Sequence, residues 1–376
     1  MIKHYSPKHL FRNPKYDIIT RKQKSKKIKN MFKLEKIFRT AVQYHASDIF
    51  ISTGVKPSLR INGDIIRIEE HPALTKKMAE EYLLEILTPE QKKKFEQSLD
   101  MDFSLDIETI ARFRVNIFVQ RKGISAAFRL IPEKVLTMDE LGLPIQMKRA
   151  TTFKNGLVIV TGPTGSGKTS TLASMINEIN RNQKKHIITI EDPIEFVHQD
   201  NQSIIEQREV GTHTHTFQKA IRASVRENPD VIMLGEMRDL ETIQMAITAA
   251  ETGHLVFATL HTMGCADSIN RIIDSFPSSQ QNQVRSQLAE SLRAVFWQTL
   301  IKTKDEKGRV AAMEMMFCNN AIANMIRKGT THQINSVIET STKEGMQTMK
   351  KSLTDLLQAG LITEENALLN MPKEFE

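Results

Sequence analysis

Residues 162–170 read Gly162-Pro163-Thr164-Gly165-Ser166-Gly167-Lys168-Thr169-Ser170, directly after the apolar run GLVIV at 156–160. The stretch fits G-x-x-x-x-G-K-[ST] in the context that gives the pattern meaning. A strand-like run precedes it, and Leu172, Met175, Ile176 and Ile179 follow at helical spacing. The glycines let backbone N–H groups curl round a β-phosphate, and the helix N-terminus adds partial positive charge. Lys168 is expected to reach the β- and γ-phosphates and the Thr169 hydroxyl to ligate Mg²⁺. All nine residues are therefore candidate contacts for ATP and its magnesium.

Beyond this loop, strand and helix alternate in the manner of a doubly wound α/β domain. Four largely apolar strands are expected: LVIVTG at 157–162, HIITIED at 186–192, DVIMLGE at 230–236 and HLVFATLH at 254–261. Between the last two, Leu240, Ile243, Ile247 and Ala250 recur at helical spacing and Gly253 stands where a C-terminal cap belongs. After Pro277 the chain reads as mostly helical. Ligands of open α/β sheets bind at the carboxyl ends of the strands, so the strand endings form a set. They are Glu191 and Asp192, with Glu195 just past Pro193, then Glu236, then His261. A hydrolase needs a carboxylate to orient the attacking water, a second for the Mg²⁺ shell, and a polar group to sense the γ-phosphate. Taken singly each could be a solvated strand end; together they supply all three.

Of 52 basic and 44 acidic residues in the 376-residue chain, ten and one lie in residues 1–30, which leaves 42 and 43 in the body. The basic balance thus belongs to an arm at 1–30, expected to be solvated and disordered. A near-neutral body with 6% aromatics provides neither an electrostatic track nor stacking platforms, so no nucleic-acid partner is expected. No apolar run approaches the ~18 residues of a membrane span. Cys265 and Cys318 form no CxxC, and a cytoplasmic protein is expected. Residues 31–131 read as a small α+β domain, with helices at LEKIFRTAVQYH and MAEEYLLEIL and short strands between them. In its hairpin Phe113, Val115, Ile117 and Val119 alternate with Arg112, Arg114, Asn116 and Gln120, so arginines project from an open face. Residues 132–144 read as a linker and 145–376 as the nucleotide-binding domain with its C-terminal helices. His213 and His215 share one face of an extended stretch, but without a third ligand they read as a solvated loop.

Three segments follow the loop in an informative order. ITIEDPIEFVH (188–198), DVIMLGEMRD (230–239) and TGHLVFATLHT (252–262) resemble the aspartate box, Walker B segment and histidine box of the secretion-superfamily ATPases. These are the hexameric motors of type IV pili and type II secretion. ASDIFISTGVKPSLRINGDI (46–65) and DMDFSLDIETIARFRVNIFVQRKG (100–123) resemble the family's PAS-like N-terminal module, and residues 325–368 resemble the tail of its pilus retraction branch. The resemblance runs from about Met31 to the C-terminus. It implies a RecA-like P-loop ATPase domain with a helical C-terminal part. It further implies a homo-hexamer at the inner face of the cytoplasmic membrane, an inner-membrane platform protein as partner, and a related accessory ATPase as a further one. Among residues, it implies Glu195 as general base supported by Glu191 and Asp192, Glu236 as Walker B carboxylate and metal-shell ligand, and His254 and His261 as links between nucleotide state and subunit geometry. Arg112, Arg114 and Arg129 would complete a neighbouring subunit's site. Gly235 occupies the usual Walker B aspartate position, and three further departures stand out: His213 replaces an aspartate, the basic arm at 1–30 has no family counterpart, and the retraction-linked AIRNLIRE reads AIANMIRK, with Ala323 and Lys328 replacing an arginine and an acid.

Overall fold

The computed structural model describes residues 32–61, 63–107, 110–131, 134–306 and 308–372. The basic arm at 1–30 and Pro132, at the head of the expected linker, lie outside the described residues. The described residues fall into two compact units, one before residue 134 and one from Lys134 onward.

In the first unit the helix Phe32–Gln43 turns Leu34, Ile37, Phe38 and Ala41 to one side, and all four are buried. They pack on an antiparallel sheet of β1 (Asp48–Ser52), β2 (Ser58–Ile61), β3 (Asp64–Arg67), β4 (Asp100–Ile107), β5 (Ala111–Gln120) and β6 (Gly123–Ile131). The spatial order is β3-β2-β1-β6-β5-β4. Between β3 and β4 lie the helices Lys76–Glu85 and Pro89–Ser98. The second of these was not expected; its signal was the Thr88 capping box with Gln91, followed by Pro89 at the first helical position. Phe113, Val115 and Ile117 of β5 are fully buried, as alternation requires, and Phe113 stacks on Phe38 with ring centroids 4.6 Å apart. Val119 shares their face but, near the hairpin end of β5, is 46% exposed.

The second unit carries β7 (Gly156–Thr161), β8 (His186–Glu191), β9 (Ile204–Glu209), β10 (Val231–Leu234), β11 (Leu255–Thr259), β12 (Leu292–Lys302) and β13 (Arg309–Phe317). Their order is β13-β12-β7-β11-β10-β8-β9, parallel throughout except for the β12/β13 pair. The four expected strands are β7, β8, β10 and β11. The expectation of a mostly helical chain after Pro277 is corrected by β12 and β13, which pair along their length from Ala294↔Phe317 to Lys302↔Arg309. LRAVFWQTLIK is buried on both faces over most of its length, so it has no period of two by which a strand could be told from a helix. The helices Met349–Gln358 and Glu364–Leu369 close over this hairpin through Ile301, Ala312, Met349, Leu353, Ile362 and Ala367. Of the expected linker, residues 134–144 pack on the second unit, with Met138 and Leu143 in its core.

The parallel registers align the carboxyl ends of β7, β11, β10 and β8 along one edge, where Val160 lies beside Thr259, Ala258 beside Leu234, and Leu234 beside Ile190. The loop at 162–170 leaves β7 at that edge.

Phe113→Ala should destabilise the first unit by about 3–5 kcal/mol, the usual cost of emptying an aromatic site. Amide hydrogen exchange in β5 and β6 should accelerate steeply, and unchanged exchange there would contradict the packing described.

Candidate nucleotide site

Three glycines set the loop that leaves β7. Gly162, Gly165 and Gly167 have φ of +145°, +80° and +86°, where side chains are strained. Space adds to the requirement: a Cβ on Gly162 would lie 2.2 Å from the Gln298 carbonyl oxygen, and one on Gly167 2.9 Å from Gln298 Nε2. Gly167 is the N-cap of the helix Lys168–Asn182, and no side chain caps that helix. Its first N–H groups are thus left for an anion. Pro163, Thr164 and Gly165 are exposed, Gly162, Ser166 and Lys168 are buried, and Thr169 and Ser170 are half-buried. Ser166 Oγ is buried without a hydrogen-bond partner among the described residues.

Lys168 Nζ donates to the carbonyls of Gly162 at 2.8 Å and Pro163 at 3.0 Å. Burial lowers its pKa, while the negative charges of Glu236 and Glu195 oppose that shift. Two of the expected carboxylates are therefore within electrostatic reach of the loop lysine. Glu236 is shared: its Oε1 lies 3.1 Å from His261 Nε2, and its Oε2 accepts from Arg238 Nε at 2.7 Å. That hydrogen bond raises the Arg238 pKa, aided by the charge of exposed Asp192. Arg238 was missed in the sequence although it stands inside DVIMLGEMRD, two residues after Glu236. The end of β11 is fastened to the loop strand, since the Thr161 hydroxyl donates to the Thr262 carbonyl at 2.8 Å and accepts from the Thr262 N–H at 2.9 Å. This tie holds His261 beside Glu236.

Glu191 occupies a different environment. It is 3% exposed and accepts from Thr189 Oγ1 at 2.7 Å, Gln207 Nε2 at 3.2 Å and the Glu195 N–H at 3.4 Å. Burial outweighs these bonds and raises its pKa to about 7. Glu191 thus braces the turn that presents half-buried Glu195. Buried Glu209 braces the same turn, accepting from the Ile194 N–H at 3.1 Å and from Thr212 Oγ1 at 2.9 Å. Gly235 now has a local reason: a Cβ there would already be 4.0 Å from Glu191 Cγ, so an aspartate would set a second carboxylate beside a buried one.

Other expected residues lie elsewhere. His254 sits at the amino end of β11, its carbonyl accepting from Gly156 N–H at 3.0 Å, roughly 17 Å of strand from the loop. Its Nδ1 lies 3.0 Å from the Ala249 carbonyl. Arg112, Arg114 and Arg129 belong to the first unit, where Arg129 Nε pairs with Asp48 at 3.1 Å and stands opposite Arg114 in the β5/β6 register. His213 Nδ1 accepts from the Glu209 N–H at 3.0 Å, and exposed His215 joins no metal-capable cluster; none exists among the described residues. No described helix is long and apolar enough to cross a membrane.

A glycine loop, an uncapped helix and carboxylates gathered at adjoining strand ends are the apparatus of a P-loop ATPase. The sequence profile of the family described as Type II/IV secretion system protein matches residues 22–369. The chain belongs to that family. Within it, the chain is a PilT-type ATPase. It is 50% identical over 322 residues to the Type IV pilus retractation ATPase PilT of Pseudomonas aeruginosa, covering 86% of this chain and 93% of that one. It is also 40% identical over 334 residues to the Type IV pilus ATPase PilU of the same organism, covering 89% and 87%. A crystal structure of the pilus retraction motor PilT with bound ADP superposes with a TM-score of 0.85 at 43% identity, covering 90% of this chain and 97% of that one.

The Glu191 environment sets a pH dependence for this secretion ATPase. Folding raises the Glu191 pKa from 4.5 to about 7, so the folded state holds the proton more tightly. Its contribution is full below about pH 4.5 and is lost as pH rises to about 7, on the order of 3 kcal/mol. Glu191→Gln should remove that slope, gaining in Tm relative to wild type between pH 5 and 7.5. Parallel Tm curves would contradict a buried, proton-holding Glu191.

Proposed function

We propose that this chain is the hexameric motor whose ATP hydrolysis powers type IV pilus retraction. The observation that carries this reading is the 50% identity to a named retraction ATPase across nearly the whole of both chains. The site is compatible with the chemistry. Mg²⁺ is commonly held by one or two carboxylates plus substrate phosphates rather than by a protein cage, and the described residues contain no cluster of three or more potential ligands. Thr169 and Glu236 are the residues that would hold it. When bound, the ion neutralises charge between the β- and γ-phosphates.

The chain's own residues do the rest in this reading. Loop N–H groups bind the β-phosphate, and Lys168 exchanges its bonds to the Gly162 and Pro163 carbonyls for phosphate oxygens. Glu195 takes the proton of the attacking water, held in place by the brace through Glu191, while Asp192 and Arg238 set the local field. His261, bonded to Glu236, passes the occupancy of the site to the end of β11. Arg112, Arg114 and Arg129, from a neighbouring subunit's first unit, would neutralise developing charge; groups of this kind are worth about 10³ or more in rate. An oligomer follows from that division of labour, and the resemblance to hexameric motors makes it a homo-hexamer. It would work in the cytoplasm, at the inner face of the membrane, against the pilus platform protein.

A second reading, an accessory ATPase of the same machine, is favoured by one feature. The helix Asn320–Lys328 carries buried Ala323 and exposed Lys328 where the retraction-linked motif has an arginine and an acid, and the chain matches PilU over a similar span. Two measurements separate the readings. Cells lacking the protein should bear excess, non-retracting pili; loss of pili would instead mark an assembly motor, and unchanged pili an accessory. In the purified protein, Glu195→Gln should lower kcat by about 10²–10⁴ while nucleotide binding persists. Equal, low rates in wild type and variant would count against a motor.

A further inference from the structure

One buried amide connects the phosphate loop to the strand beside it. Gln298 of β12 is 2% exposed, and its neighbour Trp297 lies opposite Thr161 in the parallel register, so Gln298 stands beside the start of the loop. Its Nε2 donates to the Ser166 carbonyl at 2.6 Å, and its Oε1 accepts from the Thr171 hydroxyl at 2.7 Å, with Thr171 itself buried. The amide orientation is chemically fixed, because a carbonyl can only accept and must face the NH₂. The two bonds span the turn, joining the loop at Ser166 to the first turn of the helix Lys168–Asn182.

The consequence follows from peptide geometry. In a planar trans peptide the C=O of one residue and the N–H of the next point in opposite directions. Anchoring the Ser166 carbonyl to β12 therefore aims the Gly167 N–H away from β12. We infer that Gln298 is a positioning residue for nucleotide binding, fixing the Ser166–Gly167 peptide so that the Gly167 N–H is presented to a phosphate. Thr171 holds the amide in register with the helix. Gly167, with φ of +86°, offers little resistance to a peptide flip once the anchor is gone. The inference rests on the chain being a P-loop ATPase and is independent of whether it retracts pili.

The test is calorimetric titration of the full-length chain with MgADP. Gln298→Met keeps the volume and burial but loses both bonds, and should weaken binding about tenfold or more. Thr171→Val keeps the Ser166 bond and should weaken binding less, while the double variant should bind no worse than Gln298→Met alone. Gln298→Glu supplies a signature that packing cannot. Ionised, its carboxylate repels the Ser166 carbonyl; protonated, it donates to it. Its affinity relative to wild type should therefore recover as pH falls from 8 to 6, whereas that of Gln298→Met should not. Wild-type affinity in a folded Gln298→Met, or a Gln298→Glu ratio flat with pH, would overturn the assignment. Failure of the wild-type chain itself to bind MgADP would instead remove the nucleotide-site reading, and this inference with it.

Discussion

The loop backbone passes so near the strand beside it that a Cβ on Gly162 would meet the Gln298 carbonyl oxygen at 2.2 Å. That approach exists because β12 runs parallel to β7 and continues past its end, walling one side of the loop. The loop cannot widen toward β12, nor can it carry side chains at Gly162 or Gly167. Its curvature is therefore set by the sheet before any ligand is considered. The same wall reaches outward, since β12 pairs with β13 and both are covered by the C-terminal helices. Packing in the C-terminal part is thereby continuous, through β13 and β12, with the wall of the phosphate loop.

Two carboxylates four residues apart acquire different chemistry from their surroundings. Glu191 ends a buried strand and is held near neutrality by desolvation, while Glu195, beyond the turn, is half-buried and adds its charge to the field at Lys168. The buried acid braces the turn through its hydrogen bonds, while the half-buried one acts on Lys168 through space. Glu236 sits in a third setting, bonded to Arg238 and near His261.

What could be read from the residue string follows from which constraints are local. Gly162, Gly165, Gly167 and Lys168 were legible because a phosphate loop imposes glycine and lysine at fixed spacing. Glu191, Glu195, Glu236 and His261 were legible because they terminate recognisable apolar strands. Gln298 was not: one amide within LRAVFWQTLIK is indistinguishable from a strand's solvent-facing residue until β12 is known to lie beside the loop. Its only signal was a polar residue in a run otherwise apolar enough to be buried. His254 and His261 look equivalent on the page, yet five residues of strand place them at opposite edges of the sheet. Spacing states that distance only after the strand is recognised as crossing the whole sheet.

The arginines of the first unit raise a question of charge that sheet geometry sharpens. Ser104, Arg114, Arg129, Asp48 and Arg60 form one row across β4, β5, β6, β1 and β2. Like charges directly opposite one another on adjacent strands are destabilising, and Arg114 faces Arg129. Asp48 relieves this, lying 3.1 Å from Arg129 and 3.5 Å from Arg60, so that one carboxylate sits between two guanidiniums of the row.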